Sequence, residues 1–445
     1  MLKTFRIGGI HPPENKLSAD SNIQRLALPE VAYIPLGQHI GAPATAVVAK
    51  GDAVKVGQLI AKANGFVSAN IHSSVSGTVK GIETAVDASG YPRPVIAIEV
   101  AGDEWEESVD RSEEIVENIS LSAEEIGKRI AEMGIVGMGG ATFPTNIKLA
   151  VPAGKKAEVL IINGVECEPY LTADDRLMLE KGPELLVGVK VLMKALNVSR
   201  AIIGIENNKK DAIAHLTNLA KKHVGIEVQP LMVKYPQGGE KQLIKATINR
   251  EVPSGGLPID VGAVVQNVGT AFATYEAVQK NKPLIERVVT VTGKSIASPS
   301  NFLVRIGTPV EKLIEAAGGV TGEVTDIKVI SGGPMMGRVL STVASPVTKG
   351  TSGVLIMVNE AAERPAISAC IRCAKCVSVC PMGLEPFLLK KLATRKLYPQ
   401  LEENKVTDCI ECGSCSYTCP AGIPLLDYIR NGKGAVMQIM RSRKK

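Results

Sequence analysis

Aromatic side chains are scarce in this sequence: Phe, Tyr and Trp supply 3% of 445 residues, with one Trp. Its cores must therefore be aliphatic. Long apolar runs are missing too. No window approaches the ~18 consecutive apolar residues of a membrane-spanning helix, and the opening MLKTFRIGGIHPPENK lacks a secretory leader's apolar stretch. The expectation is a soluble or peripheral, cytosolic chain. Charge of one sign is also lacking. Lys and Arg number 51 against 45 Asp and Glu, a net +6, without the dense basic stripes of a nucleic-acid binder, so that class is excluded. The five histidines, His11, His39, His72, His215 and His223, are scattered singly, and none is assigned to catalysis. Cysteine is nearly absent from the first 369 residues, where Cys167 stands alone.

What is present is glycine, with 43 residues against the usual share of about 7%, and a length that suggests roughly three domains. Residues 31–100 read as β, because short apolar stretches (QLIAKA, GTVKGIE, VIAIEV) alternate with Gly-rich turns; a barrel-sandwich domain over 1–100 is what the following likeness implies. SSVSGTVKGIE resembles the barrel of biotinyl and lipoyl domains, but no modifiable Met-Lys-Met hairpin accompanies it, so the likeness carries the fold and no acyl-carrier role. Residues 101–117 hold eight acidic residues against one Arg and read as a solvated linker. A helix should open at Ser122, with Glu125 completing a capping box, and run to about Met133. From 118 to 285, strand candidates (AEVLIING, RAIIGIE) alternate with helical stretches, which calls for a parallel sheet covered by helices. A β-rich module with one helix (PVEKLIEAAGG) follows over 286–345, and short helices surround the cysteines of a last domain over 362–430. The fold class is α/β multidomain.

Eight of the nine cysteines fall between Cys370 and Cys419. Reducing compartments disfavour disulfides, and the regular spacing points to metal ligation. Cys370, Cys373, Cys376 and Cys380-Pro381 form one quartet, and Cys409, Cys412, Cys415 and Cys419-Pro420 the other. Both match the C-x₂-C-x₂-C-x₃-C-P run of [4Fe–4S] proteins, in which the fourth Cys ligates the other cluster. One cluster should thus be held by Cys370, Cys373, Cys376 and Cys419, the second by Cys380, Cys409, Cys412 and Cys415. Structural zinc, the competing reading, prefers two Cys pairs separated by a longer loop. Paired clusters exchange single electrons, so an electron-transfer protein is expected.

A source of those electrons is suggested by Gly137-Met-Gly139-Gly140-Ala-Thr-Phe143-Pro-Thr-Asn-Ile-Lys148. As a bare glycine loop it is also compatible with an ordinary turn, but its exposed N–H groups and a Lys at helical spacing suit a phosphate. The stretch resembles G-R-G-G-A-G-F-P-T-G-x-K, the flavin loop of the NADH-oxidising flavoprotein subunit of respiratory complex I. The likeness continues in order. Asn163-Gly-Val-Glu166-Cys167-Glu168-Pro169 is similar to N-A-D-E-S-E-P, Tyr235-Pro-Gln-Gly238-Gly239-Glu240 to Y-x-x-G-E-E, and Val265-Gln266-Asn267-Val268-Gly269-Thr270 to V-N-N-V-E-T. With the opening FxIGGIHPPENK and the order of modules, the whole chain resembles the C subunits of Rnf ion-translocating ferredoxin:NAD⁺ oxidoreductases.

That resemblance implies a lipoyl-like barrel-sandwich domain, a Rossmann-like FMN/NADH domain, an SLBB-type β-grasp module and a helical double-cluster ferredoxin domain. It implies that Gly137, Gly139, Gly140 and Lys148 hold the FMN phosphate and ring edge, and that Asn163, Glu166, Asn267 and Thr270 line the FMN. Phe143 would stack on NADH, Glu168 and Glu240 would hydrogen-bond it, and Tyr235 and Gly238 belong to the same lining. The implied cofactors are FMN, NAD(H) and two [4Fe–4S] clusters. The implied setting is the cytoplasmic face of the cell membrane, peripheral, among membrane-embedded and ferredoxin-like subunits. Val165, Gly239 and Gln266 depart from the family's Asp, Glu and Asn, and Cys167 replaces a Ser. Two alternatives stay open: a soluble corrin (cobalamin) reductase of the same modules, and a non-catalytic electron wire. The coupling ion, Na⁺ or H⁺, is not encoded in any motif.

Overall fold

The computed structural model describes residues 2–443. The barrel is two small antiparallel sheets. One pairs Val31–Pro35 with Pro92–Val100, which pairs with Gly77–Val86, which in turn pairs with Ala53–Val54; the other joins Thr45–Ala46, Leu59–Lys62 and Ile71–His72. Ile34, Ile60, Ile96 and Ile98 point into a core wholly withdrawn from solvent, as the aliphatic composition requires. The acidic stretch after it is more engaged than a solvated linker: Lys280 Nζ binds Asp110 at 2.7 Å and Arg305 binds Asp103 at 2.9 Å. The only Trp, Trp105, lies under the guanidinium groups of Arg111 and Arg305.

The helix expected at Ser122 spans Ala123–Glu132, with the reciprocal capping box between Ser122 and Glu125 in place. The domain behind it carries a four-stranded parallel sheet ordered Ile226–Leu231, Ala201–Glu206, Val159–Asn163, Ala263–Asn267. Such strands are buried on both faces and read as continuous aliphatic runs; every residue of Ala201–Glu206 is buried. The strand order reverses beside Val159–Asn163, because the chain first adds strands on one side and then returns to the other. The crevice outside the carboxyl ends of strands at such a switch point is where open α/β sheets bind ligands. Asn163 and Asn267 stand there, in register with each other.

The third module is a six-stranded sheet whose middle includes Glu286–Thr292 and Gly353–Val358, so the sheet extends past residue 345. Its edge is residues Ile23–Arg25, parallel to Ser300–Arg305, so this stretch of the N-terminus leaves the barrel for another module. The cysteine domain is helical: Pro386–Thr394 and Leu425–Ser442 pack over the cluster loops. No helix among the described residues is long and apolar enough to cross a membrane.

Candidate functional site

The glycine loop begins after a buried stretch, Ile135-Val136, and leaves Gly139 and Gly140 exposed. Gly140 has φ +102° and Thr142 φ +51°. A β-branched residue in the left-handed region is strained, and the flavin loop that this stretch resembles has Gly at that place. The loop is anchored where the sheet's order reverses: Met138 N donates to the buried Thr270 Oγ1 at 2.9 Å, and a Cβ on Gly139 would come 3.5 Å from Asn267 Cβ. Asn267 caps the helix Val268–Gln279 by accepting from Gly269 N at 2.8 Å. The exposed glycine loop and the N-terminus of this helix thus lie side by side at the switch point, neighbours of the kind that suit a phosphate monoester. The lack of side chains at Gly139 and Gly269 lets the loop pack against Asn267, while the space beside Gly140 is open.

The remaining residues named from the sequence divide into two groups. Around the crevice, Asn163 Nδ2 donates to Gly238 O at 2.9 Å and Lys148 Nζ meets Glu240 at 2.6 Å. Gly137 N bonds Phe143 O at 2.9 Å and holds the half-buried Phe143 at the loop's end. Glu166, at φ +44°, turns its carboxylate back to accept from Asp174 N and Asp175 N at the start of the helix Ala173–Glu180. Glu168 and Tyr235 face elsewhere. The Glu168 carboxylate is tucked under the third module, accepting from Met336 N at 2.8 Å and Met335 N at 3.1 Å. Burial raises its pKa to about 7 against the pull of those two donors. Tyr235 OH donates to Cys412 O at 2.8 Å, inside the cysteine domain.

Three polar side chains escaped the sequence reading. Asp174 accepts from Asn267 Nδ2 at 2.7 Å, and burial, then Glu166, push its pKa up to about 7. Arg287, 4% exposed, donates to Lys349 O at 2.5 Å and reaches Met138 O at 3.4 Å. Lys349, also buried, donates to Asn70 O and Gly134 O at 2.8 and 2.7 Å. Only the paired Asp174-Asp175 after the E-C-E-P stretch was a usable signal. Cys167 is withdrawn as a thiol: burial raises its pKa, and Gly238 N donates to its sulfur at 3.3 Å.

The two cysteine loops repeat one backbone shape. Arg372 and Glu411 have φ +57° and +58°, and Ala374 and Gly413 have φ +58° and +79°, each pair flanking the second Cys of its quartet. One-turn helices, Lys375–Ser378 and Ser414–Tyr417, follow at matching places. Cys380 has left its own quartet and lines one cavity with Cys409, Cys412 and Cys415, walled by Leu384, Leu389 and Ile429. Cys376 is instead close enough to Cys419 and Cys370 for their charges to act on it. Burial raises the thiols of the enclosed group, Cys409 to about 11 and Cys415 to about 12, so they would release protons only to metal. Leu384 N donates to Cys380 Sγ at 3.4 Å, the kind of N–H···S contact that tunes a cluster. Cys380, Cys409, Cys412 and Cys415 around one cavity match the four-thiolate ligand set of a [4Fe–4S] cluster. The enclosed group adjoins Tyr235, while Cys370 and Cys373 are exposed.

Models of four families match the chain in order: the RnfC barrel sandwich hybrid domain over residues 3–103, the Nuo51 FMN-binding domain over 130–276, the SLBB domain over 288–339 and the 4Fe-4S dicluster domain over 369–423. The chain is 49% identical over 411 residues to the C subunit of the proton-translocating ferredoxin:NAD(+) oxidoreductase complex of Clostridium ljungdahlii, covering 91% of this chain and 87% of that one. It is 44% identical over 403 residues to the C subunit of the Na(+)-translocating ferredoxin:NAD(+) oxidoreductase complex of Acetobacterium woodii, covering 90% of each. Among solved structures, an H2-reduced NAD+-reducing [NiFe]-hydrogenase aligns at 18% identity and TM-score 0.49, over 71% of this chain and 61% of that one.

Proposed function

Since the chain belongs to the C-subunit family of ion-translocating ferredoxin:NAD⁺ oxidoreductase complexes, we propose that it exchanges electrons between NAD(H) and one-electron partners within such a complex. The observation that carries this is the junction at Tyr235. The loop it belongs to borders the glycine-rich crevice through Gly238 and Glu240, and its hydroxyl bonds the peptide of Cys412. When bound, a flavin supplies the conversion between hydride and single electrons that nicotinamide and clusters need.

The chain's own groups then have distinct tasks. Gly139, Gly140 and the N-terminus of Val268–Gln279 bind the FMN phosphate through N–H groups, with Lys148 adding charge. Asn163, Glu166, Asn267 and Thr270 shape the lining, and Phe143 offers a face for the nicotinamide. Cys380, Cys409, Cys412 and Cys415 form the flavin-side cluster site, and Cys370, Cys373, Cys376 and Cys419 the partner-side site at the surface. Partners are the membrane-embedded and ferredoxin-like subunits, and the chain sits peripherally on the cytoplasmic side of the cell membrane. One relative is named for protons and another for Na⁺, so family membership leaves the coupling ion open.

Anaerobic purification with iron, sulfide and flavin analysis tests this reading, with NADH added to the same sample. The expected result is about eight Fe and one FMN per chain, with NADH bleaching both chromophores. Eight Fe with no flavin, even after FMN is added back, would leave an electron wire and sink the dehydrogenase role. The corrin reductase alternative has cobalamin, not membranes carrying the other subunits, as the acceptor.

A further inference from the structure

The HPPENK stretch and the residues before it belong to neither cofactor motif, yet they run between the two sites. Lys3 bridges Leu231 at the edge of the parallel sheet, and Thr4 Oγ1 donates to Gln237 Oε1 at 2.9 Å. Ile10 and Tyr235 exchange two backbone hydrogen bonds of 2.9 Å each. Just before that exchange the segment crosses the cysteine domain. Gly9 N donates to Val379 O at 2.9 Å. Gly8, at φ +66°, lies so close that a Cβ would be 2.5 Å from the carbonyl carbon and oxygen of Cys380.

The segment then reaches the loop that carries Glu166 and Glu168. Tyr170 N donates to Glu14 O at 2.8 Å, and the Lys16 ammonium donates to Glu166 O, Glu168 O and Leu171 O at 2.9, 3.0 and 2.6 Å. Three carbonyls use every donor the ammonium has. Withdrawing a charge from water is costly unless it is fully hydrogen-bonded, so this placement is demanding. The loop it holds is itself strained, with Glu166 at φ +44° and Tyr170 at φ +72°.

We propose that residues 8–16 form a strap that fixes the spacing between the flavin-side loop and the Cys380–Cys412 pocket, with Lys16 as a positioning residue for electron transfer between them. This rests on the function proposed above. Gly8 sets the strap against the Cys380 peptide, Ile10 fixes Tyr235, and Lys16 fixes the backbone that presents Glu166 and Glu168. The strap touches both sites and contributes no group to either.

The test compares the full-length wild-type protein with Lys16→Met, Lys16→Arg and Gly8→Ala, all loaded with FMN and clusters. Stopped-flow measurements follow NADH reduction of the flavin, reduction of a soluble two-electron acceptor, and bleaching of the clusters. Electron transfer between two bound centres slows as the gap between them widens, whereas hydride transfer to the flavin does not cross that gap. Cluster bleaching should therefore slow severalfold in Gly8→Ala with flavin reduction, acceptor turnover, iron and flavin content unchanged; in Lys16→Met it should slow more than flavin reduction does, and Lys16→Arg should recover part of the rate. Wild-type bleaching rates in Gly8→Ala would overturn the proposal even if Lys16→Met failed to fold. Equal slowing of flavin reduction and cluster bleaching would also overturn it, because the strap would then act on the flavin site alone. Absence of NADH bleaching in the wild-type protein would be a failure of the proposed function, visible before any variant is made.

Discussion

Cys380 ends the first quartet in sequence, but the fold lodges it among Cys409, Cys412 and Cys415 in a cavity walled by Leu384, Leu389 and Ile429. On the proposed ligand sets, replacing it with Ala should remove a ligand from the flavin-side cluster and leave Cys370, Cys373, Cys376 and Cys419 in place. Each cubane holds four irons, so iron should fall from about eight to about four per chain, and the visible absorbance by about half. Cys370→Ala should cause the same loss of iron by emptying the exposed site. The variants separate on function. Cys380→Ala keeps the outer cluster but loses the centre beside Tyr235, so NADH should no longer bleach the iron–sulfur absorbance, although an artificial acceptor is still reduced at the flavin. Cys370→Ala keeps the inner cluster, and its bleaching should persist. Cys419→Ala should behave like Cys370→Ala despite its closeness in sequence to Cys415. Anaerobic iron analysis, electron paramagnetic resonance and NADH titration give the three readouts. If Cys380→Ala and Cys370→Ala leave the same residual cluster signal, each quartet holds its own cluster and the cross-ligation argument is wrong.

Glu286 lies at the bottom of a buried charge cluster, bonded to Lys282 at 2.7 Å and Arg305 at 3.0 Å. Glu286→Gln should cost about 3–5 kcal/mol in a urea titration, because it strands buried cations; a loss below 1 kcal/mol would contradict this. Burial alone would raise the pKa of Glu286, but Lys282 and Arg305 outweigh it and lower it to about 2. Its contribution, about 3 kcal/mol, is then complete above the ordinary carboxylate pKa and lost as pH falls from there towards 2. Wild-type stability should decline over that window more steeply than that of Glu286→Gln. Lys148→Met removes the cation 2.6 Å from Glu240 and should weaken FMN binding roughly tenfold or more, read by fluorescence titration; unchanged affinity would remove Lys148 from the phosphate site. Tyr235→Phe should cost about 1 kcal/mol of thermal stability through the lost bond to Cys412 O and leave FMN content unchanged. Loss of flavin in that variant would instead return Tyr235 to the flavin lining.

The features legible in the sequence are those whose partners lie nearby along the chain. The ligand spacing of Cys370–Cys380 and Cys409–Cys419, the capping box of Ser122 and Glu125, and the aliphatic strands Val159–Asn163 and Ala201–Glu206 all depend on neighbours within one element. Glu168 and Tyr235 are named as site residues by their motifs, but the direction they face is not legible there, because it is set by Met335 and Cys412, more than 160 residues away. Lys349 marks the limit more sharply. It is 1% exposed and bonds only carbonyls, Asn70 O from the barrel and Gly134 O at the entrance to the glycine loop, and burial lowers its pKa to about 7. A carboxylate partner would have left an Asp or Glu to notice, whereas every residue has a carbonyl. Lys16 is held in the same way. Cations that join modules through backbone acceptors carry no pairing signal in a single sequence: Lys349 ties its own module to Asn70 of the barrel and to Gly134, and Lys16 ties the N-terminal segment to the loop of Glu166 and Glu168. The motifs therefore name the chemistry, and the carbonyl-bound lysines, which no motif includes, hold the modules that carry it together.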